Sequence, residues 1–262
     1  MRSIRLMAIV VAALAATGCF QMTTVMKLNG DGSGTIEHRM LFTAQALAQL
    51  RQFAALGGRP IDPTSEAQAR EMAATLGPGV TYVSSTPVST PLGQGRDAVY
   101  AFSDVAQLRV TAQPPAPGGT SIPIQGLGAN GGTLTFSLTH EANGNAVLHI
   151  IVPDAELLEA LNANAAMPQQ IPMIKAMLAK AHVTLAVEPS GMLVRTNSPY
   201  VDGSRVTLLE VDLDQVLEDA DALAAKLQAA RTPEDTKGVL RDVPGLKIAL
   251  ERDITVEFTP AK

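Results

Sequence analysis

Hydrophobic and polar residues alternate along much of this chain, with the period of two that is typical of half-buried β-strands. The clearest example surrounds Asn143-Gly144, where residues 134–138 and 148–152 both place large apolar side chains at every second position. Because Asn-Gly favours the two-residue turn of a hairpin, the pattern predicts an antiparallel pair of strands here. The same pattern predicts further strands at residues 23–28, 35–42, 80–85, 97–102, 183–187, 192–196, 205–211, 246–250 and 254–258.

Glycine-containing turns indicate how some of these strands connect. Asp31-Gly32 lies between the first two predicted strands, and Ser190-Gly191 and Asp202-Gly203 separate the three strands within residues 183–211. Short turns of this kind join strands that lie side by side. They predict a hairpin near the N-terminus and a three-strand meander later in the chain.

A helical period of about 3.6 residues replaces the alternation in several intervening segments and predicts amphipathic helices. Helices are predicted to start near residues 43, 62, 154, 168, 212 and 232, where residues such as Thr43, Asp212 and Thr232 can cap an N-terminus. Hairpins dominate and the helices come in clusters. The predicted fold class is therefore α+β, with an antiparallel sheet built from hairpins and a three-strand meander, packed with amphipathic helices.

The N-terminus has the three-part pattern of a secretory signal peptide: Arg2 and Arg5, an uninterrupted apolar run over residues 6–16, and then small residues. The run is shorter than the roughly 20 residues that span a bilayer. It ends at Thr17-Gly18-Cys19, which resembles the lipobox of bacterial lipoproteins and contains the one cysteine of the chain. This resemblance implies cleavage between Gly18 and Cys19 and diacylation of the Cys19 sulfur. A buried free cysteine beside an ordinary signal peptide is the alternative.

Two acyl chains give stable membrane anchoring, whereas one gives only marginal binding. The predicted location is therefore the cell envelope, with the chain exported and lipid-anchored. Residue 20 is Phe rather than Asp. By resemblance to Gram-negative lipoproteins, this favours the periplasmic side of the outer membrane where the organism has one.

Residues 113–132 separate the predicted elements into two groups, since ten of these twenty residues are glycine or proline. Such a composition is typical of a loop or linker. The predicted organisation is a cleaved signal peptide at 1–18, an N-terminal α+β part at 19–112, a Gly/Pro-rich loop or linker at 113–132 and a C-terminal α+β part at 133–262. A single domain over 19–262, with a long loop inside it, stays open.

Composition narrows the classes of partner. Loss of Arg2 and Arg5 with the signal peptide takes the formal net charge from −5 to −7, which argues against nucleic acid or anionic lipid as the main partner. Aromatic residues make up 3% of the chain and Trp is absent, so stacking platforms for sugars or bases are not expected. The hydrophobic fraction of 46% is enough for a packed core.

No metal ligands are predicted. Asn29, Asp31 and Ser33 occupy the first calcium-loop positions, but the twelfth position is Met40, where calcium needs a bidentate glutamate. The histidines at positions 38, 140, 149 and 182 are scattered, and His38 is expected to be partly buried with its hydrogen bonds satisfied. Soft ligands for Cu(I) could come from Met167, Met173 and Met177 with His182, although a role as core filler is the preferred interpretation.

No catalytic residues and no cofactor are predicted either. The acidic residues at 210, 212, 214, 218, 219 and 221 crowd a predicted helix start, where the helix dipole favours negative charge, so a solvated helix face is the preferred interpretation. The glycine pattern at 126–131 matches a dinucleotide fingerprint, but a strand rather than a helix is predicted after it. Nucleophile elbows, phosphate-binding loops and zinc motifs are absent from the sequence. Ligand-binding residues and the oligomeric state are not predicted.

Four segments, at residues 29–36, 98–105, 191–197 and 201–208, resemble a group of uncharacterised exported bacterial lipoproteins. The glycine-rich hairpin at 29–34 and the later Thr196-Asn197 and Asp202-Gly203 hairpin are also similar to the LppM-type lipoprotein domain of mycobacteria. That resemblance implies an α+β scaffold that binds lipid-like ligands. It implies no catalytic residues.

The sequence thus favours a membrane-anchored lipoprotein whose non-catalytic domain acts in protein interaction or envelope assembly. One alternative is a carrier or sensor of a lipid-like hydrophobic ligand, which would need an apolar cavity of several hundred cubic ångströms. Another is a hydrolytic enzyme, which would need a cleft where acidic residues or histidines converge within hydrogen-bond reach. The predicted partners are the membrane, through the acyl chains, and an envelope protein or hydrophobic ligand.

Overall fold

The computed structural model describes residues 20–48, 51, 62, 64–111, 133–152 and 180–261. The strands are β1 (Phe20–Leu28), β2 (Gly34–Phe42), β3 (Thr81–Thr90), β4 (Gly93–Phe102), β5 (Val110–Thr111), β6 (Thr133–His140), β7 (Ala146–Ile151), β8 (His182–Pro189), β9 (Gly191–Thr196), β10 (Val201–Asp202), β11 (Arg205–Asp212), β12 (Leu246–Ile248) and β13 (Asp253–Pro260). The helices are α1 (Glu66–Thr75), α2 (Leu213–Val216), α3 (Ala220–Ala229) and α4 (Pro233–Arg241), with a 3₁₀ turn at Val105–Gln107 and helical residues at 44–48.

These elements confirm the α+β fold class, and the strands lie in two sheets. The first sheet has the order β10-β11-β8-β1-β2-β4-β3, with β12 also pairing with β11. Its central pair, β1 and β8, runs parallel, and the other neighbours run antiparallel. The second sheet has the order β5-β6-β7-β13-β9 and is antiparallel throughout.

Both strongly predicted hairpins are confirmed. β1 and β2 pair from Phe20 opposite Phe42 to Leu28 opposite Gly34, and β6 pairs with β7 across the turn that contains Gly144. Gly144 has a φ of 87°, a left-handed conformation that favours glycine. In each hairpin, the alternating apolar residues specify the strands and the glycine specifies the turn that joins them.

The three strands of the predicted meander form, but they do not lie side by side. β8 pairs directly with β11, whereas β9 leaves for the second sheet and pairs with β13. Gly191, at the start of β9, has a φ of 150°, and a Cβ atom there would lie 2.1 Å from the carbonyl oxygen of Thr259. This close approach explains how the chain turns sharply out of one sheet and into the other.

Helix capping residues were predicted well, and helix bounds less well. Thr43, Asp212 and Thr232 all accept hydrogen bonds at the helix starts expected of them. The helix predicted near residue 62 begins later, at Glu66, because Ser65 caps it and accepts from the Gln68 N–H. The helix predicted from residue 212 is interrupted after Val216 and resumes at Ala220 as α3.

The inner faces of the two sheets pack against each other through one continuous hydrophobic cluster. Its members on the first sheet include residues of β1, β2, β4, β8 and β11, and its members on the second include residues of β6, β7 and β13. Fully buried side chains include Leu28, Ile36 and Tyr100 on the first sheet and Leu148, Ile150, Ile254 and Phe258 on the second. The Tyr100 hydroxyl donates to the Ala69 carbonyl at 2.9 Å and so fastens α1 to this core.

The strands on either side of residues 113–132 share one sheet and one core. β1, from the N-terminal part, lies between β2 and β8, and β8 belongs to the C-terminal part. Residues 113–132 themselves lie outside the described residues, as do Gly18, Cys19, the helices predicted at 154 and 168, and Met167, Met173 and Met177. The described chain begins with Phe20, which is already the first residue of β1.

Candidate functional site

The outward face of the second sheet carries polar side chains at the positions that alternate with its buried core. On β7 and β13, Leu148, Ile150 and Val256 are fully buried, whereas His149 and Thr255 between them face outward and oppose each other in register. This is the pattern of a sheet with one face on the core and one face turned to solvent. The polar residues are thereby held on strands rather than on loops.

These side chains line an open depression of about 420 Å³. It is bounded by residues of β6, β7, β9 and β13 and of the turns beside them. Eight of the nine lining residues are polar or charged, so hydrogen-bonding or charged groups reach the depression at almost every position. The lining residues are Thr139, Glu141, Val147, His149, Arg195, Thr196, Asn197, Thr255 and Glu257.

Glu257 forms a fixed anionic point in the depression. It lies on the outward face but is only 5% exposed, because neighbours hold its carboxylate from two sides. The Asn145 amide donates to Oε1 at 2.6 Å, and the Arg195 Nε donates to Oε2 at 2.5 Å. These hydrogen bonds, first that from Asn145 and then that from Arg195, hold the pKa of Glu257 below its usual range.

His149 lies on the same face and is oriented by a carboxylate. Its Nδ1 is 3.0 Å from Oδ2 of Asp253, and both side chains are partly exposed. Ser137 on β6 lies directly opposite His149 in the β6–β7 register. A carboxylate on Nδ1 fixes the ring and leaves Nε2 as the nitrogen that can exchange a proton with a ligand.

Asn197 fixes β13, the strand that carries Asp253. Its side-chain amide donates to the Asp253 carbonyl at 2.8 Å, and its Oδ1 accepts from the Thr255 N–H at 2.9 Å. The amide thus continues the hydrogen-bond ladder of β13 beyond the end of β9. A site in which each side chain is held by a second one is pre-organised for binding.

The arrangement supports two kinds of chemistry. Among the residues that line the depression, the carboxylates of Glu141 and Glu257 outnumber the guanidinium of Arg195, and the Asp253 carboxylate contacts the lining residue His149. Such a surface suits a partner that supplies hydrogen-bond donors or positive charge. It also meets the requirement set for an enzyme by the sequence, namely a cleft where a histidine and carboxylates come within hydrogen-bond reach.

The other histidines occupy three different environments. The His140 Nε2 lies 2.6 Å from the Gly30 carbonyl and joins the β6–β7 hairpin to the β1–β2 hairpin. The His182 Nε2 lies 3.1 Å from the Thr184 hydroxyl. His38 is buried and its Nδ1 bonds to Thr24, but its Nε2 has no hydrogen-bond partner among the described residues. The expectation that His38 is satisfied was therefore only half correct.

Two sequence features that could mimic a site have structural roles. In the Asn29–Ser33 turn, the Asp31 carboxylate accepts from both the backbone N–H and the hydroxyl of Ser33. These bonds hold the pKa of Asp31 below its usual range and close the hairpin. Asp212 caps α2, and Asp214 accepts from the Lys180 N–H. In both places the acidic side chains accept hydrogen bonds from backbone N–H groups.

The site on the second sheet was not foreseen. The sequence pattern indicates which residues of β7 and β13 face outward. It does not indicate which of them meet, because His149 and Asp253 are 104 residues apart in the chain and Arg195 and Glu257 are 62 apart. Across the ranges covered by the structure, no three His, Cys, Asp or Glu side chains converge on a metal position. Over the same ranges, no helix is long and apolar enough to cross a bilayer.

Comparison with known proteins gives one weak likeness. No protein-family model matches the chain, and no curated protein matches it. A solved structure that does match is the folded domain of LppM from Mycobacterium tuberculosis, at 8% sequence identity and a TM-score of 0.34, over 94% of this chain and 96% of that one.

Proposed function

We propose that this chain is a lipid-anchored cell-envelope protein that works by binding, and that the outward face of its second sheet is the binding surface. The observation that carries the proposal is the buried carboxylate of Glu257, held by Asn145 and Arg195 inside a polar depression. A buried carboxylate on a solvent-facing strand is costly unless it is fully hydrogen-bonded. Because holding a carboxylate there is costly, its presence favours a surface that has a role in binding.

The favoured occupant is a segment of another envelope protein that carries Lys or Arg. The excess of carboxylates favours a positively charged group, and the polar lining favours hydrogen bonding over apolar burial. A carrier of a lipid-like ligand is less well supported, since such sites are lined mainly by apolar side chains and Val147 is the one apolar residue among the nine that line this depression. The interaction or envelope-assembly role expected from the sequence is therefore the better match.

The position of the site relative to the proposed anchor fits such a role. If Cys19 is the acylated N-terminus, β1 begins at the next residue and its nine residues run for about 30 Å. At the far end of β1, Gly30 contacts His140, which lies between Thr139 and Glu141 of the depression. The binding surface would then lie at the end of the domain that is remote from the lipid, where it can reach a partner.

Site-specific photo-crosslinking in cells tests the binding surface. A photoreactive residue at Thr255, in the depression, should give a discrete crosslinked adduct that disappears when Glu257→Gln is added. The matched control is the same residue at Thr35, on the outward side of the first sheet. A lack of adducts from Thr255, or the same adducts from both positions, would contradict the proposal.

The anchor has a separate test. Cys19→Ser should abolish acyl labelling and release the chain from the membrane fraction. A Cys19→Ser chain that is still membrane-bound and acyl-labelled would show that the lipobox interpretation is wrong, while leaving the binding surface to be judged by crosslinking.

A hydrolytic activity is the second candidate, because His149 is oriented by Asp253 and its residue lies opposite Ser137 in the β6–β7 register. In that case His149 would act as the general base and Ser137 as the nucleophile. Turnover of a panel of activated esters should then fall together in Ser137→Ala and His149→Gln, but not in the control Ser103→Ala. Turnover that is absent in the wild type, or that survives both changes, excludes this candidate.

A further inference from the structure

The inner face of the first sheet holds an unusual histidine. His38 is 6% exposed, and its Nδ1 lies 2.9 Å from the hydroxyl of Thr24 on the neighbouring strand. Its Nε2 is buried and has no hydrogen-bond partner in the part of the chain that the structure describes. Buried ring nitrogens are almost always paired, so this one requires a physical explanation.

Two methionines occupy the neighbouring position on the same face. In the β1–β2 register, Met22 lies opposite Met40 and Thr24 lies opposite His38. The Thr24–His38 hydrogen bond shows that this pair shares one face, and strand alternation places Met22 and Met40 on that face two residues away. Directly opposed Cβ atoms are about 5 Å apart and diagonal ones about 7–8 Å, a span that flexible methionine side chains can close.

We propose that Met22, His38 and Met40 form a binding site for a single Cu(I) ion, with two thioether sulfurs and the His38 Nε2 as its ligands. Thioethers are soft ligands that select Cu(I), and imidazole also suits copper. All three ligands are neutral, so they fit a monovalent ion in an apolar setting better than a divalent one, whose charge they would leave uncompensated.

Thr24 supplies the supporting contact that such a site requires. A histidine that binds a metal through one ring nitrogen normally donates its other N–H to a protein oxygen, which fixes the tautomer and the ring orientation. Here the Nδ1–H would donate to Thr24 Oγ1 at 2.9 Å and leave the lone pair of Nε2 free for the ion. The hydroxyl of Thr24 is itself on a buried residue, 7% exposed, so the orientation is held away from water.

Several described residues around the three side chains are apolar. Val183 and Leu185 of β8 lie opposite Met22 and Thr24, and Ala98 of β4 lies opposite His38. Met22 is buried, whereas Met40 is only partly buried and packs against a small cluster around Phe42. Burial also lowers the pKa of His38 to about 4, which keeps the imidazole neutral and able to bind a metal at neutral pH.

Arg96, a cation at a neighbouring register position on this face, already has partners. Arg96 lies opposite Met40 on β4, and its guanidinium donates to the Thr64 carbonyl and to the Ser85 hydroxyl, each at 2.8 Å. It is therefore directed toward β3 and the start of α1. The copper site is distinct from the depression on the second sheet and does not depend on the proposed function of that surface.

Anaerobic titration of the purified full chain with Cu(I), in competition with a chromophoric Cu(I) chelator, tests the proposal. The wild type should bind one equivalent, and X-ray absorption at the copper edge should show sulfur together with imidazole scattering. Met22→Leu and Met40→Leu should each weaken Cu(I) binding by at least about tenfold, since changing a residue that only orients a metal ligand already lowers metal affinity by about that factor. Leucine conserves the volume of methionine, so these variants should fold.

Met26→Leu is the matched control, because Met26 is a buried methionine on the same face of β1 but lies opposite Ile36. It should bind Cu(I) as the wild type does. Thr24→Val keeps all three ligands and should weaken binding about 10–100-fold by releasing the ring. The proposal is overturned by a wild-type chain that cannot compete with the chelator, by a copper spectrum without sulfur or without imidazole, or by Met22→Leu and Met40→Leu variants that bind as tightly as Met26→Leu.

Discussion

His38 and His149 offer a comparison within one molecule. Each lies within a strand of an antiparallel pair and has its Nδ1 engaged by a side chain of a neighbouring strand. His38 faces the interior on the first sheet and is 6% exposed, whereas His149 faces outward on the second sheet and is partly exposed. The same residue type on similar backbone thus meets two different environments, and the face of the sheet decides which.

The two Nδ1 partners extend the contrast. Thr24 is a neutral hydroxyl, so it orients His38 without adding charge, and burial is what lowers the His38 pKa. Asp253 is a carboxylate, so it orients His149 and also places a negatively charged group beside that ring. The first arrangement suits a neutral ligand for a soft metal, and the second suits proton exchange or a charged partner.

The largest expected difference between the two histidines is in acid stability. His38 has a folded pKa of about 4 against an ordinary value of 6.5, so between these values the unfolded chain binds more protons than the folded one. Stability should therefore be complete above about pH 6.5 and fall by about 3 kcal/mol as the pH drops to about 4. Urea unfolding across this range measures the loss.

His38→Leu should remove most of that pH dependence, because no group with a depressed pKa remains at the position. Its stability near neutral pH can also change, since Thr24 loses its partner, so the slope with pH is the quantity to compare. Ser137→Ala is the control: it changes an exposed side chain that does not titrate in this range, and it should keep the wild-type slope. Equal slopes in the wild type and in His38→Leu would show that another group controls the acid transition.

A smaller effect is expected at Glu257. Glu257→Gln removes the charge that Asn145 and Arg195 both contact, so the Tm near neutral pH should fall by a few degrees. Because the folded pKa is held below its usual range, the wild type keeps this advantage above pH 4.5 and loses it as the carboxylate protonates at lower pH. Calorimetry of both chains at several pH values should show the two Tm curves converging in acid. A constant difference would mean that packing, not charge, holds Glu257.

The smallest effect is expected when the exposed pair is broken. Asp253→Asn should change the free energy of unfolding by no more than about 1 kcal/mol, because both side chains are partly exposed and the interaction is screened by salt. Chemical unfolding at low and high ionic strength measures it. A decrease in the free energy of unfolding as large as the one expected from protonation of His38 would show that the outward face of the second sheet is shielded from solvent.

The local parts of this fold follow from the sequence, and the long-range parts do not. The hairpins at residues 20–42 and 133–151 arise from alternation joined to glycine turns, and caps such as Thr232 with Asp235 arise from short-range hydrogen bonding. Alternation tells which side chains share a face but not which strand lies beside another. For that reason the parallel pairing of β1 with β8, the transfer of β9 to the second sheet and the Arg195–Glu257 contact could not be predicted.

The candidate sites show the same limit. Strand alternation alone puts His38 on one face with Ile36, Met40 and Phe42, but the position of Met22 beside them depends on the exact β1–β2 register. That register was within reach, since both strands flank a short predicted turn. The environment of His149 was not, because Asp253 belongs to a strand that is distant along the chain.

The place of β1 in the first sheet has a mechanical consequence. The strand starts at Phe20 and lies between two partners, with nine paired positions to β2 and eight to β8. If Cys19 bears the acyl chains, tension between membrane and domain would act along the axis of β1 and load both hydrogen-bond ladders in shear. Shear requires many hydrogen bonds to break together, whereas an edge strand can peel away one bond at a time. With the anchor at Cys19, the central position of β1 would therefore help the domain to resist pulling forces at the membrane.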